Sequence, residues 1–519
     1  MDNSTFMTTP ASALTLITLW VVYLVASAIY NISPRHPLSH VPGPKLAAMS
    51  LLYEFWFDMV LGGTYTHEIR KMHESCLKGP VVRIGPNELH CNDPAFTDEI
   101  YASSGRKRNK QTHNAGVIVG LMRKSSFGSI DHDLHRMRRN AINKFFSRAQ
   151  ITKLEPEMKK LTQTLCDKLL RCPSNQAFEI TTAYSCFSTD VISAYCFGKP
   201  IGFLEQAGWE PNFREPLMGF FNAGFMFRYF PWTRSLADAG PLLAPYLSGE
   251  IGMLLRELYI HTPKRVAQAM QDHKHGVVRD RPTVFNDLLA SSLPGNEKTI
   301  DRLSGEAFSL TGAGTETTAW TLSVITFYVL SQPAVYGKLM EELESIDLND
   351  ASWHVLEKLP YLNAVISEGL RLSYGVASRT PRVASQEHLV YRSQANDQRG
   401  VEIIVPKGTA IGMSAAIMHH NETIFPYSDA FEPERWLGKY DVPRSVMEKN
   451  MMPFSKGSRQ CVGMNLAYCE LFLTTAALMR RVFPHIELFQ TTVEDVKYDH
   501  DAIIPRAKKG SKGVRVVVK

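Results

Sequence analysis

A cysteine stands at the entrance to an apolar helical stretch in Phe454-Ser-Lys-Gly-Ser-Arg-Gln-Cys461-Val-Gly463. At a helix entry it faces orphan backbone N–H groups and the positive end of the macrodipole, and both favour thiolate over thiol. Gly457 and Gly463 permit tight backbone geometry and the close approach of something flat, and Arg459 sets a cation two residues away. Taken alone, such a cysteine reads better as a buried structural residue in a turn. A second constellation lies upstream, in Leu310-Thr-Gly-Ala313-Gly-Thr-Glu316-Thr317-Thr318. It pairs an acid with an alcohol inside a long apolar stretch whose two glycines cost about 1 kcal/mol each against alanine. Such glycines mark backbone that approaches a ligand, a helix that opens locally, or two helices packed closely. A third is Glu368-Gly-Leu-Arg371, an acid and a base on one helical face.

Phe454, Gly457, Arg459, Cys461 and Gly463 fill every fixed position of FxxGxRxCxG, the haem-binding signature of the cytochrome P450 family. The chain resembles that family from about residue 35 to 507. The resemblance implies that Cys461 is the proximal thiolate of a haem b iron, a ligand that favours O–O cleavage. It implies that Phe454, Gly463 and Ala313 border the cofactor and that Arg459 meets a haem propionate. Ala313-Gly-Thr-Glu316-Thr317-Thr318 is similar to the family's oxygen-activation motif. Thr317 would then hydrogen-bond dioxygen, and Glu316 would help deliver protons from solvent. Glu368, Arg371 and Arg435 of Phe431-Glu-Pro-Glu-Arg435-Trp436 would form a buried ion network with a structural role. Where the family has WxxxR, this chain reads His135-Arg-Met-Arg-Arg139, so Arg139 matches the propionate arginine and His135 replaces the tryptophan. Arg382 is a further propionate candidate.

These residues need elements to hold them. Apolar residues at three- and four-residue spacing predict helices near 133–147, 150–170, 176–196, 303–331, 334–345, 361–373 and 464–482. Short strand-like runs occupy Val81–Ile84, Leu389–Tyr391, Val401–Val405 and Val514–Val518, and Lys407–Gln460 is turn-rich. The expected fold is mainly helical with small sheets, an α+β arrangement of the P450 type, and no low-complexity linker divides it. Residues 45–519 are expected to form one haem-binding domain.

The start of the chain is different in kind. No Asp, Glu, Lys or Arg falls between Asp2 and Arg35, and Ala11–Tyr30 is nearly all apolar. Twenty residues make ~30 Å of helix, which matches a bilayer core. Residues 11–32 therefore read as a transmembrane anchor, with 1–10 lumenal and 33–44 a stiff proline-rich connector. The rival is a cleaved signal peptide, which lacks a basic leading region here. Arg35 and Lys45 after the span place the body in the cytoplasm, so the endoplasmic-reticulum membrane is the expected site. On that topology the sequon at Asn3 faces the lumen and the one at Asn421 stays unmodified.

A net charge of +6 over 519 residues argues against a dedicated nucleic-acid binder. Eight cysteines show no disulfide-like spacing, and apart from Cys461 they read as reduced, buried small residues. His419-His420 and His273-Lys-His275 read as surface residues. Arg136, Arg138, Lys144, Arg148 and Lys456 form a basic face suited to an acidic electron donor, which in the family is an NADPH-dependent flavoprotein reductase. The expected activity is insertion of one oxygen atom from O₂ into an apolar small molecule. Phrases such as Asp131-His-Asp-Leu-His135 resemble fungal secondary-metabolism enzymes and point to a terpenoid or polyketide-derived substrate. The alternatives are a P450-fold enzyme working without O₂ and a non-enzymatic haem sensor.

Overall fold

Pro10–Ile32 is one helix, and its segment Leu14–Ile32 has a mean hydropathy of 1.8 with none of it buried against the protein. By length and composition it can cross a membrane. The computed structural model describes residues 10–75, 79–103, 105–174, 176–277, 281–348, 350–393 and 402–519. Asn3, Cys76 and Val401 lie outside them. The connector that follows is packed down. His36, Leu38 and Val41 are buried, the Arg83 amide donates to Pro42 O at 2.7 Å, and a Cβ on Gly43 would fall 2.2 Å from Arg83 O. The segment that follows the apolar helix is thereby tied to the strand Val81–Gly85.

The helix Ile300–Ser331 runs through the interior for 32 residues, started by a Thr299 side chain that accepts from the Arg302 amide. Ile180–Phe197, Thr262–Lys274, Pro360–Ser373 and Met464–Arg481 pack against it. The expected helices appear within a few residues of their predicted bounds, except that the first ends at Asn143. Arg214–Tyr229 and Thr262–Lys274 were not read from periodicity, because phenylalanines ring the first and charges crowd the second. The main hydrophobic cluster draws residues from Ile142 to Val518.

Ile180–Phe197 is buried almost throughout yet rich in Ser and Thr. Its hydroxyls meet those of Ile300–Ser331 across the interface: Thr181 with Ser323 at 2.9 Å, Tyr184 with Thr326 at 2.8 Å, and Thr189 with Thr315 at 2.9 Å. Such partners offset the cost of burying these hydroxyls.

One mixed sheet matters for the site. Its strands lie in the order Val81–Gly85, Glu88–Cys91, Ala410–Gly412, Arg382–Val383, Asn109–Lys110, with Glu88–Cys91 parallel to Ala410–Gly412. Register sets Lys110 opposite Arg382. The strand predicted from Val401 is Glu402–Val405, paired with Leu389–Arg392.

The histidine pair was misplaced by sequence. His419 is wholly buried and His420 half-buried, because Ala415–Met418 turns them into the core. Burial lowers His419 to about 3 against the opposing pull of the Arg371 carbonyl, and lowers His73 to about 4 against that of Gly79. Both folded values lie below the unfolded ~6.5, so their contribution is whole above that pH and is lost as pH falls. The thermal midpoint should begin to drop below roughly pH 6.5 and keep dropping towards about pH 3. A flat midpoint across that window in a thermal melt series would contradict it.

Candidate active site

Asp131 caps His132–Asn143, accepting 2.9 Å bonds from the amides of Asp133 and Leu134. The cap places His135 and Arg139 one turn apart. Lys110 and Arg382 arrive from paired strands, and Arg459 from the short turn Gly457–Arg459. The five side chains share one field. Burial and then Arg459, Arg139 and Lys110 push His135 down to about 2. Burial, then Arg459 and Arg382, hold Lys110 well below its ordinary range. Arg459 itself falls to about 9 through burial and Arg382, with Asp131 opposing. Burial also lowers Arg139 and Arg382.

Among the described residues, no carboxylate pairs with Lys110, Arg139, Arg382 or Arg459. Arg459 donates to the carbonyls of Arg108, Ser129, Ile130 and Asp131, and Arg382 to those of Thr380 and Pro381. His135 Nδ1 is buried without a partner. Two buried and two half-buried cations without counter-ions, beside an orphaned imidazole nitrogen, make a site for an anion. Sequence reasoning missed Lys110, whose position depends on strand register alone.

The cysteine loop is folded by close contacts. Gly457 sits at φ 71°, and a Cβ there would fall 1.9 Å from Tyr101 O. The Cys461 amide donates to Phe454 O at 2.9 Å, and the Phe454 ring packs on Tyr468. Gly463 precedes the helix Met464–Arg481, and the nearest atom to a Cβ there is Cys461 Sγ at 3.9 Å. Cys461 is exposed and Lys110 half-buried, yet burial among the surrounding protein is the largest influence on both groups. Burial pushes the Cys461 thiol up, against the Gly463 amide and the Arg139 guanidinium. The helix entry alone therefore does not make the thiolate; a coordinated cation would. The accessible thiol, the open glycine and the unpaired cations fit a haem with its two carboxylates.

On the long helix, Ala313 is exposed amid buried neighbours, and Thr317 is half-buried one turn on. Thr317 Oγ1 donates back to Ala313 O at 2.8 Å. The glycines serve packing. A Cβ on Gly312 would lie 2.8 Å from Leu217, and one on Gly314 would lie 3.1 Å from Ile192. Glu316 is buried and points elsewhere: Arg214 Nε donates to both its oxygens at 3.2 Å, and Arg214 Nη1 lies 3.7 Å from Glu179. Burial opposes charge on Arg214, but the two carboxylates outweigh it and raise its pKa. Arg214 was not foreseen, since the helix it opens was not.

Glu368, Arg371 and Arg435 do form a buried network. Arg371 Nη2 donates to Glu368 Oε1 at 2.7 Å, Arg435 Nε to the same oxygen at 3.3 Å, and Trp436 Nε1 to Glu368 Oε2 at 2.9 Å. Its arginines hold the Glu368 carboxyl below the usual range despite burial.

The basic face is smaller than expected. Arg138 is drawn inward to Glu297, with Nε 2.7 Å from Oε2, and Arg148 is paired with Glu357 and laid over Trp353. Arg136 is exposed, while Lys456 donates to Lys449 O at 2.6 Å. Of the cysteines, Cys91, Cys166, Cys186, Cys196 and Cys469 are buried and free. A cavity of about 690 Å³ lies elsewhere, between Lys168, Phe178 and Trp209. Lys168 there is already bonded to the carbonyls of Phe203 and Gly208, so the constellation at Cys461 carries more chemistry.

The sequence profile described as Cytochrome P450 matches residues 43–500. The chain is 39% identical over 459 residues to the cytochrome P450 monooxygenase ppzE of Metarhizium majus, covering 86% of this chain and 95% of that protein. It is 35% identical to the cytochrome P450 monooxygenase tpcC of Cochliobolus heterostrophus, covering 98% and 97%. It is 38% identical to the tryptophan 6-hydroxylase fscE of Fusarium equiseti, covering 93% and 92%.

Proposed function

The chain belongs to the cytochrome P450 family, a monooxygenase related to enzymes of fungal secondary metabolism, and from that premise we propose how it works and on what. Cys461 is the ligand of a haem b iron, and the carrying observation is its accessible thiol at the entry to Met464–Arg481, beside cations that have no counter-ion. When bound, that haem supplies oxygen activation, with the thiolate favouring O–O cleavage. Arg139, Lys110, Arg382 and His135 hold its carboxylates, while Arg459 braces the loop by its carbonyl bonds.

Thr317 presents a hydroxyl on the cavity side of the long helix, beside Ala313. Glu316 ends at Arg214, whose side chain is 25% exposed, so the carboxylate has a polar route to the surface. Acid and alcohol thus sit on one turn, one towards solvent and one towards the reacting space. Electrons come from NADPH through a separate flavoprotein reductase docked near Arg136. The body sits on the cytoplasmic face of the endoplasmic-reticulum membrane. Leu52, Trp56 and Trp232 are exposed, and Phe55 joins their segments by packing 5.3 Å from Tyr229.

The substrate is an apolar pathway intermediate, terpenoid or polyketide-derived. Phe213, Phe220, Phe221 and Phe308 cluster beside Leu217, which covers Gly312, and this supports an apolar ligand. A second reading is an aromatic amino-acid derivative, since two relatives are named as hydroxylases of tryptophan and N-acetyltryptophan. Expression with a reductase, feeding of both classes and mass spectrometry separate the two. Oxygenated product from neither class, despite tight binding, would sink the monooxygenase reading. In the active enzyme, Thr317→Ala should keep the haem and lower product per NADPH roughly a hundredfold, the lower end of what a lost proton-transfer contact costs. A fully coupled Thr317→Ala enzyme would contradict the role.

A further inference from the structure

The last carbonyls of Pro360–Ser373 have no partner within their own helix. That of Arg371 is met by His419 Nδ1 at 2.8 Å. On the other side of the ring, His419 Nε2 accepts from the Met452 amide, also at 2.8 Å. A carbonyl only accepts and an amide only donates, so the imidazole is neutral and carries its hydrogen on Nδ1. Arg371 returns the contact, Nη1 donating to His419 O at 3.0 Å. Tyr374 stacks on the ring at 5.9 Å and Phe425 closes its edge at 6.3 Å.

Met452 leads into the cysteine loop. Its carbonyl accepts from the Ser455 amide at 3.0 Å, and two residues on, Phe454 O holds the Cys461 amide. The imidazole is therefore a strut between the Glu368–Arg371–Arg435 network and the loop. Resting on the reading of Cys461 given above, we propose that His419 is a positioning residue that fixes the height of Cys461 through Met452. Few side chains can replace it. Leucine fills the space but leaves a buried carbonyl and a buried amide unpaired, whereas glutamine offers one donor and one acceptor.

The test uses the full-length haem-loaded protein with His419→Leu and His419→Gln. In His419→Leu, hydrogen exchange at the Met452 amide should quicken roughly tenfold or more, as for a lost buried hydrogen bond. Its reduced carbon-monoxide spectrum should shift from the thiolate-ligated form towards the thiol-ligated one, and kcat should fall while KM holds. His419→Gln should restore most of both. Unchanged exchange and an undisturbed thiolate spectrum in His419→Leu would overturn the proposal, as would a glutamine variant as impaired as the leucine one. Should His419→Leu not fold, ¹⁵N-histidine spectra of the wild type decide, since hydrogen on Nε2 instead of Nδ1 overturns the strut. A wild type without the thiolate spectrum refutes the Cys461 reading instead, and the exchange measurement still stands as the test of the strut.

Discussion

Cys461→Ala should bind haem weakly, show none of the thiolate-ligated carbon-monoxide spectrum, and lose turnover by roughly 10³-fold or more, over ~4 kcal/mol of barrier. The size of the effect follows from the loop. Gly463 leaves the space beside the sulfur open, and Phe454, the residue that braces the Cys461 amide, offers only a backbone carbonyl. No neighbouring side chain of the loop is a thiol or an imidazole. Cys461→His separates ligation from catalysis. It should recover haem, because the cations around His135 still meet the carboxylates, but without the electron push of a thiolate it should not recover turnover. The pair is read by haem content, the carbon-monoxide spectrum and product formation; turnover retained in Cys461→Ala would remove this residue from the chemistry altogether.

Arg371→Ala should cost about 3–5 kcal/mol of stability, the range for a buried ion pair broken on one side. The arginine spends its whole fork: Nε and Nη2 on Glu368, Nη1 on His419 O and Ser428 O, and Nη2 again on Ala430 O. Without it, Glu368 stays wholly buried with Arg435 as its remaining guanidinium. Arg371→Lys should be nearly as damaging, since an ammonium has three donors and no planar fork. Glu368→Gln should be milder, because its one remaining oxygen can still accept from Trp436 or from the Glu432 amide, which bond different oxygens of the carboxylate. Urea midpoints of the three variants give the ranking, and a lysine variant as stable as wild type would show that charge alone suffices.

Much of this was readable beforehand where chemistry is local. The cysteine loop, the acid–arginine pair and the long helix each announce themselves within ten to thirty consecutive residues, so motif and periodicity suffice. What escaped depends on distant pairing. Lys110 becomes a site residue only because a two-residue strand lies against Arg382–Val383. Arg214 meets Glu316 only because an unforeseen helix starts there, and His419 looked exposed because a turn-rich stretch gives no sign of its inner face. Gly312 and Gly314 show the converse error. Their helix-propensity penalty was visible, but its reason, the closeness of Leu217 and Ile192, belongs to the crossing of helices.

The three hydroxyl pairs between Ile180–Phe197 and Ile300–Ser331 work like teeth in a rack. Hydrophobic packing alone would let two smooth helices slide past one another at little cost. Here a displacement by one turn, ~5.4 Å, would break all three cross-helix bonds at once, leaving Thr189, Thr315 and Ser323 only the carbonyls of their own helices. The helix that carries Thr317 is thereby held at one axial setting, so adaptation to different substrates has to come from its partner on the other side, Arg214–Tyr229. Sequences that diverge in substrate can be expected to vary the phenylalanines there and to leave the rack alone.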